Sequence, residues 1–207
     1  MPPDDLSFLA GTYRSHLGRV ALGLADLLAA DAKLNVWCGG VASPFSRGRI
    51  HLPVHIYDRP EGDTPMLLVY TLAEIPDPKP NRVMDITGSV VVTALWDDER
   101  VILDDASIGP ETLAAYIRHV AVKDDAAYHL KVPRYSNRPL VNSISSFGQA
   151  RIGPEMTKEQ LGRIFSEEPE DELRDQQPSG LQLDLQIDYR YQVDRDTWTP
   201  AGFTPAE

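Results

Sequence analysis

The chain has 207 residues, enough for one domain with an elaboration, and its 42% hydrophobic share supports a packed core rather than wholesale disorder. Its formal net charge of −11 argues against general nucleic-acid binding, because phosphates repel an acidic surface. No run of about 20 apolar residues is present to suggest a membrane-spanning helix, and one cysteine, Cys38, excludes an internal disulfide.

The start, Met-Pro-Pro-Asp-Asp, is acidic where a signal peptide is basic, so none is expected. Residues 6 to 31 read as a helix. Leu6, Leu9, Tyr13, Leu17, Val20, Leu24, Leu27 and Leu28 recur at spacings of three and four, which makes one apolar stripe. Asp4 or Asp5 can cap it. Gly11 is a point where it can break, leaving residues 1 to 10 as an arm. Gly39-Gly40 ends the helical pattern. Cys38, in Val36-Trp37-Cys38, reads as a small buried residue rather than a nucleophile.

Strands are expected at 50 to 57 (an edge or bulged strand because of Pro53), 66 to 75 and 83 to 96, with a short fourth at 101 to 103. The sequence Pro-Asp-Pro-Lys-Pro-Asn-Arg at 76 to 82 reads as an exposed loop, since three prolines cannot donate to a ladder. A second helix is expected over 108 to 122, with Ser107 as cap and Pro110 in its first turn. Beyond it, 128 to 132 suggests a strand and 136 to 148 a long Ser/Asn-rich loop. Thr157 to Glu168 suggests a third helix, opened by a Thr157/Gln160 capping box. An acidic linker, 169 to 180, follows.

Residues 181 to 193 then alternate without error. Leu181, Leu183, Leu185, Ile187, Tyr189, Tyr191 and Val193 fall on one face of a strand, and Gln182, Asp184, Gln186, Asp188, Arg190 and Gln192 on the other. One face is expected to be buried and the other wet. At about 3.3 Å per residue such a strand reaches roughly 43 Å. Either it projects past its own core and pairs with a neighbour, or it bends at a bulge into two ordinary strands.

The expected fold is therefore α+β: a mostly antiparallel sheet of four to five strands, an N-terminal helix and a second helix on one face, and an irregular insertion. Residues 11–122 and 181–196 form the domain, 123–180 the insertion with its helix, and 197–207 a loose tail.

Signatures of catalysis are missing. The chain has no P-loop, no dinucleotide-binding glycine motif, no His-Glu-x-x-His and no Gly-x-Ser-x-Gly. On one strand His51 and His55 would stand about 13 Å apart, too far for one metal. Asp97, Asp98, Glu99, Asp104 and Asp105 form a carboxylate cluster, and such clusters in turns are usually solvated charge. No catalytic, cofactor or metal residue is therefore assigned. Charge is uneven: residues 128 to 152 hold Lys131, Arg134, Arg138 and Arg151 and no carboxylate. That segment reads as solvated loop or as a basic loop that docks on an acidic partner or touches DNA locally. Asp184, Asp188, Arg190, Arg134 and Arg138 are the candidate interaction residues.

The order of elements resembles the tail terminator and related tail-completion (neck) proteins of long-tailed phages. The resemblance rests on Leu-Leu-Ala-Ala-Asp-Ala at 27–32, Gly39-Gly40, the loop with Pro44 and Arg47, the helix at 111–122 and the final strand Asp188-Tyr189-Arg190-Tyr191-Gln192-Val193. It covers residues 15 to 122 and 181 to 194; residues 123 to 180 depart from it. It implies a non-enzymatic virion protein, assembled in the host cytoplasm. Such a protein forms a ring, usually a hexamer, between the tail tube protein and the head-tail connector, with DNA passing through unbound. An acidic immunity or antitoxin-like binding protein is the alternative. A small hydrolase using Asp97, Asp98 or Asp104 with His51 or His55 is a further one.

Overall fold

The computed structural model describes residues 16–40, 48–52, 64–77, 83–97, 101–103, 106–122, 141, 143–154 and 181–194. The fold is α+β, with helices packed on a mostly antiparallel sheet. Helix α1 (His16–Ala30) carries the expected stripe: Leu17, Val20, Leu24 and Leu28 are all buried. The helical pattern then breaks at Asp31, earlier than the double glycine. The Asp31 carboxylate accepts from the backbone N–H groups of Lys33 and Leu34, each at 3.1 Å, and so caps a short new helix, α2 (Ala32–Trp37). Tyr116 also donates its hydroxyl to Asp31, at 3.0 Å.

The end of α2 is fixed by Gly39, whose φ of 71° is the left-handed conformation that favours glycine. Gly39 N–H donates to the Val36 carbonyl and Gly40 N–H to the Asn35 carbonyl, the paired bonds of a Schellman stop. Cys38 is fully buried, and burial pushes its thiol pKa up to about 12.

The main sheet runs β1 (Ile50–His51), β2 (Met66–Asp77), β3 (Val83–Trp96), β8 (Leu181–Asp194), β6 (Ser143–Phe147), with β7 (Arg151–Pro154) also pairing with β8. β1 is parallel to β2 and, among the described residues, pairs at Ile50 with Leu67 and His51 with Leu68. All the other pairings are antiparallel. A separate hairpin joins β4 (Val101–Leu103) to β5 (Ala106–Ile108). Helix α3 (Pro110–Val122) follows it. Ser107 pairs with Ile102 in the hairpin instead of capping α3; the Gly109 carbonyl accepts the first helical bonds, from Thr112 and Leu113.

The alternating strand is β8, and its odd residues are buried as expected: Leu183, Leu185, Ile187, Tyr189, Tyr191 and Val193. They share one core with α1, α3 and the even residues Val90, Val92 and Ala94 of β3. Two expectations about this strand need correction. It neither bends nor projects, because β3 pairs with all of it, from Leu181 opposite Trp96 to Asp194 opposite Val83, without a register shift. Its other edge is taken by β6 at 187–190 and β7 at 181–184. It is an interior strand, made long by an equally long partner.

Elsewhere too, strands extend into expected loops. Pro76 and Asp77 belong to β2, opposite Ile86 and Asp85. Residues 143–147, placed in a loop by their serines, form β6, so part of the expected insertion belongs to the main sheet. The arm at 1–10, the strand expected beyond Leu52, the strand at 128–132, the helix at 157–168 and the tail lie outside the described residues.

Candidate interaction surface

A period of two places Asp184, Asp188 and Arg190 on the sheet face opposite the helices. The register sets what stands beside them. Asp184 is opposite Thr93 of β3 and Arg151 of β7; Asp188 is opposite Ser89 and Ser146; Arg190 is opposite Thr87 and Ser143. Arg134 and Arg138 lie outside the described residues.

This face is drier than the alternation predicts. Met66, Leu68, Tyr70, Val91 and Leu95 form a second buried apolar cluster on its β2–β3 side. The two aspartates lie on the β8 side of that cluster, half-buried and engaged within the sheet. Thr93 Oγ1 donates to Asp184 at 2.5 Å and lies 3.2 Å from the Tyr70 hydroxyl, while Gln182 Nε2 donates to Asp184 at 2.8 Å. Asp188 accepts from Ser89 Oγ and Ser146 Oγ, each at 2.6 Å, and from Gln186 Nε2 at 2.8 Å. Burial alone would raise the Asp188 pKa, but the Gln186, Ser146 and Ser89 donors outweigh it and hold the carboxyl below its usual value. These carboxylates tie strands together. Arg190, by contrast, is exposed.

At the far end of the sheet a cleft of about 360 Å³ is lined by Asp77, Asp85, Ile86, Thr87, Ser143, Arg190, Tyr191 and Gln192. Gln192 Nε2 donates to Asp85 at 2.7 Å. Among the described lining residues there is no histidine or cysteine, hence no imidazole or thiol to act as base or nucleophile. Of the residues named for a hydrolase, His51 and Asp97 are described. Asp97 accepts from the Thr64 hydroxyl, and His51 is half-buried, its pKa lowered first by burial and then by Arg49. His55, Asp98, Glu99, Asp104 and Asp105 lie outside the described residues. Among the described residues no three His, Cys, Asp or Glu side chains group as a metal site.

Sequence reasoning placed residues 66–75 in a strand but not the exposure of its second half. All six residues from Leu72 to Asp77 are exposed, with Leu72 at 57% and Ile75 at 62%. Among the described residues no strand lies along their outer edge; β1 pairs at Leu67 and Leu68, and residues 53–63 after it lie outside the description. Opposite them on the helix side, Met84, Ile86, Tyr191 and Val193 are buried. The arm is held by a crossing contact: Tyr191 reaches over Gly88 and donates its hydroxyl to Glu74. A Cβ at Gly88 would sit 2.7 Å from the Tyr191 ring and 2.6 Å from Leu17, so only glycine leaves room. Pro76 was the available signal, because a proline inside an apolar run marks an edge strand.

No family model matches the chain, and a search of curated proteins found no match.

Proposed function

We propose that this chain is a non-enzymatic structural subunit of a phage or phage-like tail, a hexameric ring at the tail end that joins the tube to the head connector. The observation that carries the reading is the β2 arm: six exposed residues on a strand, two of them large and apolar, with no further strand on their outer side among the described residues. Exposed apolar edges invite strand addition unless something blunts or covers them. A heterologous contact of that kind, repeated by rotation, closes a ring. The resemblance in element order supplies the tail context. The net charge of −11 suits a lumen through which DNA passes without sticking.

The test is the mass of the chain in solution and its appearance by negative-stain microscopy, alone and with assembled tail tubes. Rings with a central opening support the reading. A chain that stays monomeric at every concentration and adds to no tube contradicts it.

A further inference from the structure

We propose that the cleft at the far end of the sheet binds a small zwitterion of dipeptide size. Arg190, with the hydroxyls of Thr87 and Ser143, takes its carboxylate, and Asp77 takes its ammonium. The proposal stands apart from the ring reading and needs no second copy.

The anion end is a row across three strands. Arg190 of β8 is opposite Thr87 of β3 on one side and Ser143 of β6 on the other, about 5 Å away at each step. Opposite residues share a face of the sheet, and all three line the cleft. The row next to it repeats the pattern with an aspartate in the middle: Asp188 stands between Ser89 and Ser146, and its carboxylate accepts from both hydroxyls at 2.6 Å. In the Arg190 row the flanking hydroxyls are kept and the carboxylate is replaced by a guanidinium. Among the described residues the side chains of Arg190, Thr87 and Ser143 have no hydrogen-bond or ion-pair partner. The row therefore presents a forked cation and two hydroxyl donors, the set that binds a carboxylate supplied from outside.

The cation end lies across β3. Asp77 of β2 and Asp85 of β3 are directly opposite each other and line the same cleft. Two carboxylates so placed repel, and the potential between them favours a cation. Asp85 accepts from Gln192 at 2.7 Å, whereas Asp77 is exposed and has no side-chain partner among the described residues. Asp77 is two strands and two residues from Arg190, which puts their backbone positions roughly 12 Å apart. An extended dipeptide spans at most about 7 Å, short enough to bridge the two side chains across the cleft. The volume of about 360 Å³ is at the lower end for small-molecule sites, which suits a ligand of that size. The same carboxylates repel a phosphate, which brings negative charge and no ammonium.

The probe is glycylglycine, followed by saturation-transfer NMR on the full-length chain at neutral pH, a readout that works for monomer and assembly alike. The expected result is saturable binding with a dissociation constant on the order of millimolar, as suits a small ligand in an open polar cleft. Glycylglycine amide lacks the carboxylate and N-acetylglycylglycine lacks the ammonium; each binds at least about tenfold more weakly. Arg190→Gln and Asp77→Asn, both at exposed positions, each weaken glycylglycine about tenfold, while Glu111→Gln on the exposed side of α3 binds as the parent does. Circular dichroism checks that the variants are folded, and if one is not, the capped dipeptides decide the matter on the unaltered chain. Inorganic phosphate that displaces glycylglycine, together with full binding of the acetylated form, reduces the cleft to a simple anion site and overturns the inference. So do equal binding of both capped forms, undiminished binding by Arg190→Gln, and the absence of saturable binding up to tens of millimolar.

Discussion

Asp188 separates a structural carboxylate from an interface carboxylate. Its two oxygens accept three side-chain bonds, from Ser89 and Ser146 at 2.6 Å and from Gln186 at 2.8 Å. A hydrogen bond to a charged group contributes about 1.5–3 kcal/mol when fully buried. Asp188 is half-buried and water can replace part of each bond, so about 1 kcal/mol apiece is the appropriate scale. Asp188→Ala is therefore expected to cost about 2–3 kcal/mol. For a chain of this size that lowers Tm by roughly 5–10 °C. Asp188→Asn keeps the shape but loses the charge and one acceptor, and should fall between. The pH dependence has a fixed sign. The folded carboxyl sits below its ordinary pKa, so its contribution is complete above the unfolded value of about 3.9 and is lost as pH falls through the lower folded value. Thermal melts of the three proteins from pH 7 to pH 3 should show the gap narrowing at the acid end. A normal melt for Asp188→Ala, together with lost assembly, would refute the reasoning: the carboxylate would then serve a partner rather than its own sheet.

Other substitutions probe the helix side. Tyr189 is wholly buried and its hydroxyl has no partner among the described residues, so Tyr189→Phe should be neutral or up to about 1 kcal/mol more stable by urea titration; a clear loss would mean that the hydroxyl is satisfied. Gly88→Ala places a methyl between Leu17 and Tyr191 and should cost about 1–3 kcal/mol in the same assay, with an unchanged midpoint counting against the crossing contact. Cys38, its pKa raised to about 12, should resist thiol reagents at pH 8 in the native protein and react once unfolded. Equal labelling rates in the two states would place it at the surface.

The parts of this fold legible in the sequence are those in which one strong period acts over many residues. β8 alternates along its whole length, and the Leu17–Leu28 stripe marks α1; β3 was legible by its β-branched content instead. Where local chemistry opposed tertiary pairing, the local signal misled. Serines argued for a loop at 143–147, yet pairing with β8 makes them a strand, with Ser146 turned to Asp188. Pro76 argued for a loop and instead sits on an edge strand that tolerates it. The polar alternation of β8 identified Asp184 and Asp188 but not their use. Their hydroxyl partners, Thr93 and Ser89, come from a strand about 90 residues away, and only the register brings them together. The length of β8 suggests either a projecting strand or a bulge, and neither holds because β3 is equally long; length alone does not say whether a strand is interior or peripheral.

Hydrogen–deuterium exchange at the amides of residues 72–77 tests the edge-pairing account most directly, comparing dilute monomer with the concentrated assembly. The account predicts that outward-facing amides of the arm exchange fast in the monomer and become protected in the assembly. An assembly in which these amides exchange as fast as in the monomer, while protection appears on another surface, would contradict it.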